Sequence, residues 1–249
     1  MEYLEYFKRF PDAYARIVKS LNRIETLSQY LRSSGFLDEA ASVLSIGCGD
    51  GAVEIRLARE MGFSLGVVEP AAEYLESCRR GADSAGIELR EAHQATLQDY
   101  NSPFKYDVVL SLYSWFAFEF NREILKKAIA CHTPRGTLLI ILQGEASPST
   151  EISALSQASG INLTSERLSN WARKEGFEHQ IDFYHGEVSA STYLEMGKFT
   201  QAGRDLVSFL LATPWEEISP RLKDKTLVIL KQSVKNEKID FISPCLVFK

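Results

Sequence analysis

The chain has 249 residues, 45% of them hydrophobic and 24% charged, and its formal net charge is -5 at pH 7. These proportions are those of a globular protein and exclude wholesale disorder. An acidic chain without a long run of lysine or arginine is a poor binder of nucleic acid or of an anionic membrane surface, so neither partner is expected. No apolar run approaches the roughly 18 residues that a membrane-spanning helix needs.

Cysteine usage and the start of the chain indicate where the protein works. Residues 1–10 mix charges with aromatic rings and lack the apolar centre of a secretion signal. The cysteines are scattered, without a C-x-x-C pair, which argues against a zinc site or a disulfide scaffold. We therefore predict no metal site and a reducing, cytoplasmic location. The cysteines are Cys48, Cys78, Cys131 and Cys245.

Residues 1–40 are predicted to be helical. Apolar and aromatic side chains recur every three or four positions from Tyr3 to Leu31, and Gly35 is a typical C-cap. Pro11 suits a first helical turn and not a helix interior, so it separates a short first helix from a longer second one.

From residue 42 the pattern changes to short apolar runs that alternate with amphipathic stretches. Continuously apolar strands that alternate with helices indicate an α/β fold with a parallel sheet covered on both faces. The predicted strands are residues 43–46, 65–68, 87–92, 107–112, 137–142, 177–184 and 239–248.

Two serine–proline pairs receive different interpretations. Ser219-Pro220 predicts a helix through about residue 234, because serine caps a helix and proline suits its first turn. Ser147-Pro148 is interpreted as part of a loop. No linker divides the chain, so a single domain over residues 1–249 is predicted. Its parts are a helical cap (1–40), a cofactor-binding half (41–145) and a substrate-side and C-terminal part (146–249).

The strongest chemical signal is the segment VLSIGCGDG (43–51), followed by GVVEP (66–70). Three glycines at alternate positions after a strand let the backbone approach a ligand where a Cβ would clash. The helix that follows presents free N–H groups. Glu69 ends the next strand, and neighbouring parallel strands end at the same edge, so its carboxylate can receive both hydroxyls of a ribose. The pattern predicts an adenosine cofactor.

Two features favour S-adenosylmethionine (SAM), with S-adenosylhomocysteine (SAH) as product, over NAD. The spacing is G-x-G-x-G rather than G-x-G-x-x-G, and a helical extension precedes the loop. Asp50 inside the loop would oppose a pyrophosphate but tolerate an ammonium group and a sulfonium cation. The alternative is a tight strand–helix turn without a ligand, with Glu69 in solvent. The position of Glu69 and the series of strands argue against it.

The ends of the third and fourth strands are expected to complete the crevice. Thr96 and Leu97 follow the third strand, where adenine-facing groups sit, and an ordinary loop is the alternative. Tyr113, Trp115 and Phe116 follow the fourth strand, where the methyl group and its acceptor should meet. Their aromatic faces can bind a cation and exclude water. The alternative is that Trp115 and Phe116 are simply buried under a loop.

These motifs resemble the class I SAM-dependent methyltransferases, and the layout is similar to that of the histamine N-methyltransferase family. The similar segments are YLEYFKRF (3–10), VLSIG (43–47), VVEPAAE (67–73), LTSERL (163–168) and CLVF (245–248). The resemblance implies a Rossmann-like, seven-stranded mixed sheet with an N-terminal helical lid, and SAM contacts at Gly47 and Glu69. The expected cofactor-binding residues are Gly47, Cys48, Gly49, Gly51, Glu69, Pro70, Tyr74, Thr96, Leu97 and Leu112.

The substrate side departs from that family. Arg16 stands where the family has the glutamate that holds the ammonium of histamine, and Tyr113 stands where it has a glutamine. A C-terminal asparagine of the family has no match. Histamine is therefore not expected, and Arg16 is predicted to pair with a substrate carboxylate, a solvated arginine being the alternative. The expected substrate-binding residues are Tyr3, Tyr6, Phe7, Arg16, Tyr113, Trp115 and Phe116.

No histidine has the spacing of a general base with an orienting partner, so no catalytic residue is assigned. A hydroxyl acceptor would need such a base, whereas a neutral amine attacks directly. The sequence therefore favours methyl transfer to a nitrogen of a small molecule. The alternatives are a small-molecule O-methyltransferase and a silent SAM-binding regulatory protein. The histidines are His93, His132, His179 and His185.

Overall fold

The structure is a computed structural model that describes residues 20–118, 120–156 and 163–249. Four of the predicted substrate-binding residues, Tyr3, Tyr6, Phe7 and Arg16, lie outside the described residues, as does about half of the predicted helical cap. Within the described part, Gly35 has a φ of 74° just after a helix, as its predicted capping position requires.

Helices and strands alternate through the first part of the chain. The helices are α1 (Arg23–Ser33), α2 (Ala52–Met61), α3 (Ala72–Ala85), α4 (Arg122–Ala130), α5 (Pro148–Ser153), α6 (Ser165–Lys174), α7 (Ala190–Tyr193), α8 (Gln201–Leu210) and α9 (Pro220–Gln232). The strands are β1 (Ser42–Ile46), β2 (Ser64–Val68), β3 (Leu89–His93), β4 (Tyr106–Leu112), β5 (His132–Ile141), β6 (Gln180–Ser189), β7 (Leu194–Glu195), β8 (Lys198–Phe199), β9 (Val234–Lys235) and β10 (Lys238–Phe248).

The main sheet is mixed, with strand order β3-β2-β1-β4-β5-β10-β6 and β9 paired to β10. Strands β1 to β5 pair in parallel, and Cys245–Phe248 of β10 pairs antiparallel to β5. The α/β prediction is confirmed, but the sheet has eight strands rather than the predicted seven. The additional strand, β9, has only two residues, too few to show an alternating pattern.

Two compact units share the chain. The first, here called the glycine-loop unit, consists of Ile24–Leu142, Ser165–Asp182 and Pro244–Lys249. Every residue of β1 is buried there, because parallel strands covered on both faces have no solvent side. The carboxyl ends of β1, β2, β3 and β4 lie at one edge, which is where the glycine loop begins.

The other unit, here called the helical unit, consists in the described part of the chain of residues 20–23, 143–156, 163–164 and Phe183–Ser243. Its described part has an apolar core that includes Ile152, Tyr193, Leu206, Leu230 and Phe241. The Thr200 side chain caps α8 and the Ser219 side chain caps α9, each by accepting a hydrogen bond from a backbone N–H of the first turn.

Two local predictions differ from the structure. The pair Ser147-Pro148, interpreted as loop, begins α5: Pro148 occupies the first turn as Pro220 does in α9, but the Ser147 side chain makes no capping hydrogen bond. The strand predicted from residue 137 begins earlier, at His132, with a register irregularity against β4. That irregularity contains Pro134, which has no N–H to give to a regular ladder.

Candidate functional site

The loop after β1 is built on three glycines in left-handed conformation. Gly47, Gly49 and Gly51 have φ angles of 68°, 57° and 68°, a region that other residues rarely adopt. The N–H of Gly47 donates to the carbonyl of Val68 at 2.7 Å, which joins the loop to the end of β2. Gly51 is the N-cap of α2, so the loop leads directly to the free N–H groups of a helix start.

The three glycines face different surroundings. A Cβ on Gly47 would lie 2.5 Å from the Cβ of Ser114, and one on Gly51 would lie 2.4 Å from the Sγ of Cys78. These two glycines are therefore required by the packing of the chain itself. A Cβ on Gly49 would meet nothing within 4 Å. Gly49 is the member of the triplet that borders open space.

Glu69 lies directly beside Gly49. Its Oε2 accepts a hydrogen bond from the N–H of Gly49 at 2.9 Å, and its Oε1 accepts one from the N–H of Ala71 at 2.9 Å. Burial raises the pKa of the Glu69 carboxyl, and the two backbone hydrogen bonds oppose that shift. Each oxygen of a carboxylate can accept a second hydrogen bond, so the group retains capacity for two hydroxyl donors.

Three other predicted cofactor-binding residues lie in or after this loop and differ in their burial. Cys48 is buried and its Sγ donates to the carbonyl of Gly49 at 3.4 Å. Tyr74 is half-buried on α3, and burial followed by the charges of Asp50 and Glu69 raises the pKa of its hydroxyl. Pro70 is exposed at the start of the β2–α3 connection.

The turn after β3 is fixed by its own hydrogen bonds. The carbonyl of Thr96 accepts from the N–H of Tyr100 at 2.9 Å, and the Thr96 hydroxyl donates to Asp99 at 2.7 Å. Leu97 lies in this turn and is buried. The carbonyl of His93, at the end of β3, accepts from the N–H of Glu69 at 3.0 Å. A backbone hydrogen bond therefore joins Glu69, the predicted ribose-binding residue, to the strand that leads into the predicted adenine-binding turn.

The residues that follow β4 are hydrogen-bonded to the end of β1, where the glycine loop begins. The Ser114 hydroxyl donates to the carbonyl of Ile46 at 2.6 Å and lies 2.7 Å from the hydroxyl of Ser111. Tyr113, between these serines, has a φ of 56°, which is strained for a residue with a Cβ. Leu112 is half-buried at the strand end. The tie through Ser114 was not found from the sequence, because a single serine carries no signal.

Trp115 and Phe116 occupy a short helical turn beyond Tyr113. Trp115 is fully buried, its ring packs edge-on to Phe118 at 5.2 Å, and its indole N–H has no hydrogen-bond partner among the described residues. The burial matches the alternative given above for Trp115, so its ring is not exposed to bind a cation here. Phe116 is half-buried. Substrate-binding roles for these residues stay predictions.

Two acidic side chains near the site were missed by sequence reasoning. Glu54 on α2 is buried and its Oε1 accepts from the hydroxyl of Ser45 on β1 at 2.7 Å. Burial raises the pKa of Glu54 to about 7, the Ser45 hydrogen bond opposes this, and Asp50 and Glu69 raise it further. Glu91, in the middle of β3, collects hydrogen bonds from four side chains. An acid inside a strand was the available signal for it.

We assign no general base among the described residues, although one histidine at this edge has a carboxylate partner that the sequence did not predict. His93, which follows the third strand most closely, has its Nε2 3.0 Å from the Oε2 of Glu91. Its imidazole is therefore engaged within β3. The part of the chain that the structure describes contains no group of three or more acidic, cysteine or histidine side chains suited to a metal ion. It also contains no helix long and apolar enough to cross a membrane.

Comparison with known proteins gives a family. A family model described as a methyltransferase domain matches residues 7–181 of the chain. No curated protein matches the sequence. The resemblance to histamine N-methyltransferases therefore gains no support from these comparisons.

Solved structures share the fold at low identity. A SAM-dependent methyltransferase from Geobacter sulfurreducens in complex with SAH has a TM-score of 0.54 and 16% identity, over 92% of this chain and 91% of that one. The plantazolicin methyltransferase BpumL in complex with a pentazolic desmethylPZN analogue and SAH gives 0.53 and 14%, over 98% and 90%. Coclaurine N-methyltransferase bound to N-methylheliamine and SAH gives 0.53 and 15%, over 90% and 70%. At these identities the likeness concerns the fold.

Proposed function

The chain belongs to the methyltransferase-domain family and has the class I fold, so it is an enzyme that takes its methyl group from SAM, and we propose that the acceptor is a nitrogen of a small molecule. The observation that carries the assignment of the cofactor site is the pairing of Gly49 and Glu69. The pairing leaves an open backbone surface and a carboxylate with spare acceptor capacity at the same point.

The residues present fit such a cofactor. Gly49 borders space that a side chain would fill, and Glu69 next to it can accept two ribose hydroxyls in addition to its two backbone N–H donors. The turn that contains Thr96 and Leu97 follows at the end of the adjacent strand, where we assign the adenine side. The assignment of all ten predicted cofactor-binding residues to this crevice is part of the proposal.

When bound, SAM supplies an electrophilic methyl group on a positively charged sulfur. The chain need supply no covalent intermediate, because transfer would be a direct in-line displacement. The acceptor's lone pair would form the new bond to the methyl carbon while the carbon–sulfur bond breaks and its electron pair returns to sulfur, which leaves SAH. The contribution of the protein is to hold the acceptor at attack distance and to exclude water. Tyr113 and Phe116 at the exit of β4 are the described side chains that we assign to this task.

A nitrogen acceptor is favoured because it requires no general base, and we assign none at this edge of the described sheet. A neutral amine uses its own lone pair, whereas a hydroxyl must lose a proton as it attacks. The spare acceptor capacity of Glu69 is assigned to the ribose hydroxyls of SAM, and His93, whose Nε2 lies 3.0 Å from Glu91, is assigned no catalytic role. An O-methyltransferase would need one of these groups, or a residue outside the described ranges, to act as the base.

The experiment that tests the proposal has two steps. Calorimetry with purified protein should detect binding of both SAM and SAH, and Glu69→Gln should weaken binding of both, by about tenfold, because an amide has only one accepting oxygen. A panel of small amines and phenols is then incubated with SAM, and mass spectrometry detects the added methyl. Methylation of phenols alone would refute the nitrogen acceptor, and failure to bind SAM or SAH would refute the cofactor.

The N-terminal residues complete the proposal on the acceptor side. Tyr3, Tyr6 and Phe7 are assigned to a lid over the acceptor, and Arg16 to a carboxylate on it, from the sequence pattern alone. Deleting residues 1–14 should abolish methyl transfer while SAM affinity stays within about threefold of the full chain. Circular dichroism and thermal unfolding serve as the control. Loss of the folded state would instead make this stretch part of the core.

A further inference from the structure

Glu91, in the middle of β3, is the centre of a hydrogen-bond cluster. Its carboxylate accepts from the hydroxyl of Tyr100, from that of Tyr106 at 2.6 Å and from that of Ser102 at 2.8 Å. The Nε2 of His93 lies 3.0 Å from the same group. The side chain is only 9% exposed. A carboxylate with several donors in a protected position makes stronger hydrogen bonds than neutral partners do.

The four donors fix the ionisation of Glu91. Burial alone would raise the pKa of the carboxyl, but the hydrogen bonds from Tyr100, Tyr106, Ser102 and His93 together hold the pKa below its ordinary value. The group is therefore a carboxylate at neutral pH and acts as an acceptor toward all four partners.

The three hydroxyl donors come from two different parts of the chain. Tyr106 is the first residue of β4 and belongs to the rigid sheet. A Cβ on Gly66 of β2 would lie 2.2 Å from the Tyr106 hydroxyl, so the glycine leaves space for that hydroxyl inside the sheet. Tyr100 and Ser102, in contrast, belong to the connection between β3 and β4. Glu91 thus links the connection between β3 and β4 to the sheet.

Tyr100 is the residue through which this link reaches the candidate site. Its N–H donates to the carbonyl of Thr96 at 2.9 Å and closes the turn that contains Thr96 and Leu97. Its ring is buried, and its hydroxyl is held by Glu91. The position of this turn relative to the end of β3 therefore depends on the hydrogen bond between Tyr100 and Glu91.

We propose that Glu91 is a positioning residue for the cofactor, which holds the turn Thr96–Tyr100 at the adenine side of the crevice through the hydroxyl of Tyr100. Glu91 acts through Tyr100 and has no contact of its own with the cofactor. The inference rests on the proposed function, because it assumes that the crevice at the ends of β1, β2 and β3 holds SAM.

Two tyrosines on one carboxylate provide a matched test. Tyr100→Phe and Tyr106→Phe each remove one hydroxyl from Glu91, but only the first hydroxyl belongs to the turn. In Tyr100→Phe, the Kd and KM for SAM should rise about tenfold, with kcat at saturating SAM and the KM for the acceptor unchanged. In Tyr106→Phe, the unfolding temperature should fall while the Kd for SAM stays within about twofold.

A second measurement addresses the adenine ring itself. The wild-type protein should bind SAH more tightly than its inosine analogue, in which the exocyclic amine is replaced by oxygen. The ratio of the Kd for the inosine analogue to the Kd for SAH should therefore fall in Tyr100→Phe and in Glu91→Gln. In Tyr106→Phe the ratio should stay at its wild-type value. If Tyr100→Phe does not fold, the comparison between Glu91→Gln and Tyr106→Phe decides in its place.

The outcomes separate the proposals. Equal losses of SAM affinity in the two tyrosine variants would show a general structural effect and overturn the positioning role, as would unchanged affinity in both. Wild-type protein that binds neither SAM nor SAH would overturn the proposed function first. Wild-type protein that binds both, with a Tyr100→Phe variant that binds them equally well, overturns only the inference about Glu91.

Discussion

Gly47 and Gly49 are neighbours in one loop with nearly the same left-handed backbone, but they differ in what surrounds them. Changing Gly49 to alanine should cost about 1–2 kcal/mol of stability, because only the left-handed conformation is penalised. Its new methyl group should also enter the space that we assign to the cofactor and raise the Kd for SAM at least about tenfold. Denaturant unfolding and calorimetry measure the two effects.

Gly47→Ala is the matched control for that variant. Its Cβ would lie 2.5 Å from the Cβ of Ser114, so a clash within the protein adds about 1–3 kcal/mol to the same backbone strain. We therefore expect the larger loss of stability at Gly47. A Gly49→Ala protein that binds SAM as the wild type does would show that the open space beside Gly49 is not the cofactor side.

At the scale of single residues, the sequence predicted what is local and missed what is reached across the fold. The positions of Gly49 and Glu69 follow from strand order and spacing, and the structure brings them to 2.9 Å. The contacts of Ser114 with Ile46 and of Tyr100 with Glu91 join residues whose side chains carry no individual motif. Burial of Trp115 was one of two open alternatives, because an aromatic ring after a strand suits either a core or a binding surface.

Strand β1 and helix α2 are joined by one buried hydrogen bond, from Ser45 to Glu54. The ordinary pKa of 4.5 that Glu54 has in the unfolded chain rises to about 7 in the folded protein, chiefly through burial. The folded state therefore binds the proton more tightly. The resulting stability is fully present below pH 4.5 and is lost as the pH rises through about 7, because the buried group must then ionise.

Glu54→Gln should remove this dependence. The variant keeps the size and an acceptor for Ser45 but cannot ionise, so the stability of the wild type relative to the variant should fall by up to about 3 kcal/mol between about pH 5 and about pH 8. Denaturant unfolding at the two pH values gives the difference, in which the titration of Glu69 and Glu91 cancels. A difference that is independent of pH would show that Glu54 is ionised throughout.

Elements were predicted well where a pattern is long and poorly where it is short. Strands of five or more residues, such as β1 and β4, were recognised from their largely apolar character. Helix α5 has six residues, and its Ser147-Pro148 start was not distinguished from a loop, because too few residues follow to show a helical period. The two-residue strand β9 was missed for the same reason, because two residues are too few to show an alternating pattern. Its turn uses Asn236 and Glu237 with positive φ and no glycine, so no turn signal marked it either.

At the scale of the whole molecule, the chain passes between the glycine-loop unit and the helical unit several times, since each unit is assembled from three separate segments. The prediction of one domain over residues 1–249 came from the absence of a linker, and this interleaving explains why no linker is found. A composition shift marks a boundary only where one unit ends before the next begins, and neither unit here is a continuous stretch.

Interleaved units should unfold together, because neither can be released without freeing segments of the other. We expect a single calorimetric transition for the full chain, with equal calorimetric and van't Hoff enthalpies. SAM at about 100 times its Kd should stabilise the folded state by about 2.7 kcal/mol and move this one transition upward as a whole, with SAH as a second ligand and adenine alone as the control. Two resolved transitions, of which SAM moves only one, would instead establish two independent domains and limit the cofactor's stabilising effect to the unit that contains Gly49 and Glu69.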